Sequence, residues 1–169
     1  VEKDFAAATG CSTAPYAAVN SLDELKAAMA NFGPRAVLKT RRMGYDGKGH
    51  VMLGRDTDPA AAWAALAGVP SILEGFVPFE GEVSVIAARA LDGTVAAYPP
   101  IANRHRDHIL DTSTVPAGLE PRQAERAITL ATELAQALDY VGIVAVELFV
   151  LGENLLVNEL APRVHNSGH

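Results

Sequence analysis

The stretch from Gly142 to Arg163 constrains this chain more than any other. Two apolar runs rich in β-branched residues, Ile143 to Leu151 and Leu155 to Ala161, flank the turn-prone Gly152-Glu153-Asn154. That pattern predicts a β-hairpin. With Glu153 at the centre of a three-residue loop, Glu147 and Glu159 become direct cross-strand neighbours, their side chains on one face roughly 5 Å apart. Two carboxylates so close in an apolar hairpin repel each other and lose hydration, an arrangement that a hard divalent cation would relieve. A two-residue turn gives the other outcome: the register slips by one and one glutamate turns outward. The pattern alone leaves both registers open.

Ahead of the hairpin the chain alternates helices and strands. Val1 to Gly10 is weakly helical and is broken at Thr13-Ala14-Pro15-Tyr16, since a residue before proline avoids helical geometry. Residues 16–19 fit a short strand, and Ser21 with Glu24 three positions later forms a capping-box signature for a helix ending near Phe32-Gly33-Pro34. Ala36 to Thr40 reads as a strand, the polar run from Arg41 to His50 as its loop, and Val51 to Leu53 as the returning strand. A helix starts at Pro59, a strand covers Ser71 to Val77, and Asp92-Gly93 joins an antiparallel pair, Val83 to Ala90 and Thr94 to Tyr98. Residues 99–120 show no period and read as loop. Pro121 to Tyr140 carries an apolar stripe that predicts the longest helix. This order predicts an α+β fold in two lobes, residues 1–76 and 77–169, with a ligand cleft between them.

A chain of 169 residues accommodates one full core or two small lobes. Its net charge of −6 argues against broad nucleic-acid binding, which needs clustered Lys and Arg. The single cysteine, Cys11, has no internal disulfide partner, which fits a reducing compartment such as the cytoplasm. No apolar run approaches the roughly 20 residues of a membrane helix, and no signal peptide is recognisable. Starting without methionine and stopping among polar residues, the chain reads as a piece of something longer.

Three polar constellations carry chemistry. In Lys39-Thr40-Arg41-Arg42-Met43-Gly44-Tyr45-Asp46-Gly47-Lys48-Gly49, glycines and cations lie between two strands, which suits backbone N–H groups and positive charge to a phosphate. It is neither a Walker A loop nor a dinucleotide fingerprint, because the spacing differs and a strand follows; a solvated hairpin tip is the plainer reading. Glu74-Gly75-Phe76-Val77 ends a strand at the expected hinge, and Glu82 opens the next one. Beyond Glu159, Arg163, His165 and Asn166 gather a fixed cation, an imidazole and an amide, a set that could orient a small anion or simply form a polar chain exit. His105 with His108 and His165 with His169 have zinc-like spacing, but irregular segments and a distant Cys11 disfavour zinc.

Together these segments, with Thr13 to Tyr16, Glu82 to Val85 and Asn158 to His169, resemble an ATP-grasp domain, and within that superfamily the 5-(carboxyamino)imidazole ribonucleotide synthetases of purine biosynthesis. The resemblance runs over nearly the whole chain, and Arg163-Val164-His165-Asn166-Ser167-Gly168-His169 is its most specific part. It implies ATP held between the two lobes. Lys39, Gly44, Tyr45, Asp46, Gly47, Lys48 and Gly49 would lie on its phosphates, and Glu74, Gly75, Phe76 and Val77 on its adenine edge. Glu82 would meet the ribose and His105 the nucleotide. Glu147 and Glu159 would hold magnesium with Asn158 alongside, and Arg163, His165, Asn166 and Lys48 would be catalytic. The implied reaction has bicarbonate attack ATP to give carboxyphosphate, which carboxylates aminoimidazole ribonucleotide. The family pattern also implies further domains on both sides and a homodimer, neither carried by these residues. His50, His108 and Asp111 depart from the pattern, standing where glutamine, glycine and arginine are usual. A silent ATP-binding module and another ATP-grasp ligase are the alternatives.

Overall fold

The computed structural model describes residues 2–41, 49–106 and 109–169. In chain order the elements are α1 (Glu2–Ala8), β1 (Tyr16–Val19), α2 (Leu22–Asn31), β2 (Ala36–Thr40), β3 (His50–Leu53), α3 (Pro59–Ala65) and β4 (Ser71–Gly75). There follow β5 (Gly81–Arg89), β6 (Val95–Ala97), β7 (Ile101–Arg106), β8 (Ile109–Thr114), α4 (Pro121–Ala137), β9 (Gly142–Leu151), β10 (Asn154–Ala161) and a 3-10 turn at Asn166–Gly168. They form two compact units, one of residues 14–41, 49–77 and 109, the other of residues 2–13, 78–106 and 110–169. No helix among the described residues is long and apolar enough to cross a membrane.

In the smaller unit an antiparallel sheet of order β1-β4-β2-β3 packs α2 and α3 over Val19, Leu25, Leu38, Leu53, Ala62, Leu66 and Leu73. Both helices start on side-chain caps. Ser21 accepts the Glu24 N–H at 3.2 Å, while Glu24 reaches back to the Asn20 N–H at 2.7 Å, a capping box displaced by one residue. Asp58 accepts from the N–H groups of Ala60 and Ala61, with Pro59 in the first turn where its missing N–H is no loss.

In the larger unit the path β10-β9-β5-β7-β8 forms a sheet, with β6 paired to β5. The stripe of α4, Ala127, Leu130, Ala131, Leu134 and Ala135, covers one face, meeting Val83, Val85 and Ala87 of β5 and Val144, Val146, Leu148 and Val150 of β9. Period-2 alternation therefore assigns Glu82, Ser84, Ala145, Glu147 and Phe149 to the opposite face.

Two expectations change. The sequence groups residues 1–76 together, but α1 packs on β10, Lys3 Nζ donates to the Val157 carbonyl at 3.3 Å, and the Val157 N–H bonds the Ser12 carbonyl at 2.8 Å. The edge of β10 needs those partners, so residues 2–13 join the larger unit. The second change is within 99–120, expected to be loop, where β7 and β8 are strands. Apart from buried Ile101 and a few partly covered residues, they face water, so no alternation marks them.

Candidate functional site

The hairpin turn holds two residues, Gly152 and Glu153, with Asn154 opposite Leu151 and Gly152 at φ 57°, the first central position where such turns favour glycine. That turn by itself would place Asn158 across from Glu147. A β-bulge between Val157 and Glu159 absorbs Asn158 as an extra residue, and Glu159 then lies directly opposite Glu147. The expected pairing of the two carboxylates is thus present, but the bulge and not a three-residue loop produces it. Asn158 extends its Nδ2 toward Glu147 Oε2 at 3.5 Å, and its Oδ1 is buried with no hydrogen-bond partner among the described residues.

On the other side of β9, Ser84 lies in register with Glu147 and Glu82 with Phe149. Beyond β5, β7 brings Asn103 opposite Glu82. One face of this sheet thus collects Glu82, Ser84, Asn103, His105, Glu147, Phe149 and Glu159. His105 Nδ1 lies 3.0 Å from Glu82 Oε2, and Phe79 stacks on Phe149 with ring centroids 4.5 Å apart. The chain after β10 folds back so that His165, 7% exposed, contacts Glu147 Oε1 through Nε2 at 2.9 Å and the Ser167 hydroxyl through Nδ1 at 2.8 Å. Ser167 continues to Ser84 at 2.7 Å, Ser84 accepts from Asn103 Nδ2 at 2.9 Å, and Asn103 Oδ1 accepts from Ser113 at 3.0 Å. Arg163 and Asn166 do not join this network. Both are exposed, and Arg163 donates to the Val164 carbonyl at 2.9 Å.

In the smaller unit, Lys39 Nζ pairs with Glu74 Oε2 at 2.9 Å, the glutamate being buried and the lysine one-third exposed. The Gly75 and Phe76 N–H groups are already spent on the carbonyls of Pro15 and Arg35 at 2.8 and 3.3 Å, and the Arg35 guanidinium lies 3.6 Å over the Phe76 ring. An adenine edge at this strand end would therefore rely on other main-chain groups, with Val77 the nearest candidate. Gly49 accepts the Thr40 N–H at 2.8 Å, closing the base of the glycine-rich loop. Gly44, Tyr45, Asp46, Gly47 and Lys48, all expected on the phosphates, lie outside the described residues, as does His108.

Of the departures, His50 stands across from Lys39 in the β2–β3 register. Asp111 accepts from the Arg104 guanidinium at 2.9 Å and from the Thr112 hydroxyl at 3.0 Å. Those bonds, Arg104 foremost, hold its carboxyl below the usual carboxylate range. Among the described residues no three His, Cys, Asp or Glu side chains come together as a metal site. The donor set that does fit a hard cation is two carboxylates plus the orphaned amide oxygen of Asn158, all oxygen. Sequence reasoning missed Ser84, Asn103 and Ser167; the available signal was a lone hydroxyl, Ser84, between Val83 and Val85 in the apolar middle of its strand.

A family model described as ATP-grasp domain matches residues 4–169. N5-carboxyaminoimidazole ribonucleotide synthase of Brucella melitensis is 52% identical over 99% of this chain and 47% of its own length. An ADP complex of N5-carboxyaminoimidazole ribonucleotide synthetase superposes with a TM-score of 0.93 at 40% identity, over 99% of this chain and 45% of that one. The Aspergillus clavatus enzyme with ADP and 5-aminoimidazole ribonucleotide gives 0.89 at 27% identity, over 99% and 44%. The chain spans about half the length of the curated relatives it matches.

Proposed function

Because this chain belongs to the ATP-grasp family, we propose that it is the Mg-ATP-binding portion of a ligase that carboxylates 5-aminoimidazole ribonucleotide with bicarbonate. The observation that carries the reading is the bulged register, which sets Glu147 against Glu159 and leaves a buried amide oxygen, Asn158 Oδ1, without a partner among the described residues. An acceptor stranded in that way costs free energy in the empty protein. Its retention beside two carboxylates is intelligible as half of a binding site. Magnesium held by Glu147, Glu159 and Asn158 would neutralise charge developing on the transferred phosphoryl group.

The chain's own side chains have separable tasks in this scheme. Lys39 is pre-aligned by Glu74 to meet phosphate oxygens, and Glu82, oriented by His105, has carboxylate oxygens suited to ribose hydroxyls. Gly44, Tyr45, Asp46, Gly47, Lys48 and Gly49 would add backbone N–H groups and a cation on the phosphates. A bicarbonate oxygen attacks the γ-phosphorus as the bond to ADP breaks, giving carboxyphosphate. Its carboxyl group then passes to the amine of aminoimidazole ribonucleotide with release of phosphate. Arg163, exposed and donating to its neighbour's carbonyl, can swing to an anion. Asn166 is similarly exposed. Lobe boundaries near residue 77, a homodimer and a cytoplasmic location belong to the same proposal.

The test is ADP release by the protein expressed from its complete reading frame. Release that requires both aminoimidazole ribonucleotide and bicarbonate supports the carboxylating ligase; release stimulated by neither refutes it. Because the chain spans under half of its relatives, the second reading is an ATP-binding module silent on its own. Calorimetry of the isolated chain with Mg-ATP, finding binding without phosphate release, would favour that one.

A further inference from the structure

The bonds linking Ser113, Asn103, Ser84, Ser167, His165 and Glu147 have one consistent direction. A carboxylate only accepts, so His165 must present a proton on Nε2 to Glu147 Oε1, 2.9 Å away. Nδ1 accepts on its other side, with the Ser167 N–H pointing at it from 3.4 Å and the Ser167 hydroxyl from 2.8 Å. With its own O–H donated to the ring nitrogen, Ser167 Oγ accepts from the Ser84 hydroxyl at 2.7 Å. Ser84 in turn accepts from Asn103 Nδ2, whose Oδ1 is fixed by the Ser113 hydroxyl. Each hydroxyl in the middle donates once and accepts once. The opposite tautomer would set a nitrogen lone pair against the carboxylate and a ring N–H against the Ser167 N–H. Ser84 is fully buried, Ser167 5% and His165 7% exposed, so water does not compete for these groups.

We infer that Ser84, Asn103 and Ser167 are positioning residues, a polarised hydrogen-bond chain that locks the His165 ring and through it aims the Glu147 carboxylate at the cation site shared with Glu159. Both ring nitrogens of His165 are engaged in this structure, and the ring acts on the cation site through Glu147. The chain runs from β8 across β7 and β5, passes through the segment after β10, whose one regular element is a 3-10 turn, and ends on β9. A carboxylate that must pair with a cation beside a second carboxylate gains most from such anchoring, since ligand-orienting partners outside the metal's own shell commonly change metal affinity tenfold or more. The role toward magnesium rests on the proposed function; the locked ring does not.

The experiment uses the protein from its complete reading frame, labelled with 15N in histidine, with the His165 signals identified by their loss in His165→Gln. Long-range proton–nitrogen correlation should show the Nε2–H tautomer in the nucleotide-free protein. In Ser167→Ala, Nδ1 should lose the displacement that a strong O–H donor imposes on it. Calorimetry should show ADP binding weakened roughly tenfold in the presence of magnesium and unchanged without it. A general structural defect would weaken both alike, and that result would overturn the inference. So would the Nδ1–H tautomer in the unaltered protein. Should Ser167→Ala fail to fold, Ser84→Ala interrupts the chain from the far side with a near-isosteric change and must show the same magnesium-specific loss. If the unaltered protein binds no Mg-ADP, the proposed function fails, and the ring tautomer alone decides the positioning chain.

Discussion

Replacing Asn158 by alanine should move two properties in opposite directions. In the nucleotide-free protein the Asn158 Oδ1 is buried without a partner among the described residues, a situation that costs about 1–3 kcal/mol. Its Nδ2 contact with Glu147 is 3.5 Å long and returns little of that. Loss of the side chain's packing offsets part of the relief, so Asn158→Ala should leave the empty protein about 1 kcal/mol more stable, a rise of roughly 2–4 °C in melting midpoint for a domain of this size. With Mg-ADP the sign reverses. Losing one oxygen ligand should weaken binding about tenfold, equivalent to about 1.4 kcal/mol. At a ligand concentration about 100 times the original Kd, stabilisation then falls from about 2.7 to about 1.4 kcal/mol, halving the ligand-induced rise in midpoint. Differential scanning calorimetry with and without Mg-ADP reads both quantities. If Asn158→Ala lowers the midpoint of the empty protein and leaves the Mg-ADP shift intact, the orphaned oxygen is not a ligand and the bulge serves packing alone.

Three further outcomes are expected. Glu159→Gln should weaken Mg-ADP binding without altering the His165 ring signals, whereas Glu147→Gln should alter both, because only Glu147 ends the chain from Ser84; calorimetry and 15N spectra compare them. Lys39→Ala removes the cation 2.9 Å from the buried Glu74 carboxylate and should cost about 1–2 kcal/mol in urea unfolding, a figure reduced because Lys39 is one-third exposed. Lys39→Ala with Glu74→Gln should recover part of that loss. The Asp111 carboxyl, held low first by Arg104, has a folded pKa below its unfolded one, so its small contribution to stability is present above the unfolded value and is lost as pH falls through the folded one. Carbon-detected titration should find its midpoint below the ordinary aspartate value, and Arg104→Gln should raise it.

The smaller unit was almost fully legible because each of its elements is signalled locally. Ser21 with Glu24, Asp58 before Pro59, and the apolar runs Ala36 to Thr40 and Ser71 to Val77 all act over a few residues. Strands β7 and β8 were not, since the sequence from Asn103 to Thr114 alternates nothing: hydrogen bonding to β5 and within the pair extends these strands, while most of their side chains face water. Even the departure at Asp111 is readable only afterwards, when its carboxylate is found on Arg104 across the same pair.

At the hairpin the two registers that the sequence left open each describe part of the outcome. The two-residue turn is present, and it is the arrangement that should have turned one glutamate outward. One inserted residue restores the alignment, and no compositional signal announces it, because an asparagine in a strand reads the same whether it faces solvent or occupies a bulge. Deleting Asn158 would straighten β10 and still leave Glu159 opposite Glu147, with Val157 and Leu148 paired as before. The bulge is therefore not the sole way to oppose the carboxylates across a two-residue turn. What it adds is the amide, delivered between the two glutamates with its oxygen unspent. The proposed magnesium site accounts for a strand that carries, among the described residues, an unpaired buried acceptor at that position when a shorter one would align the same pair.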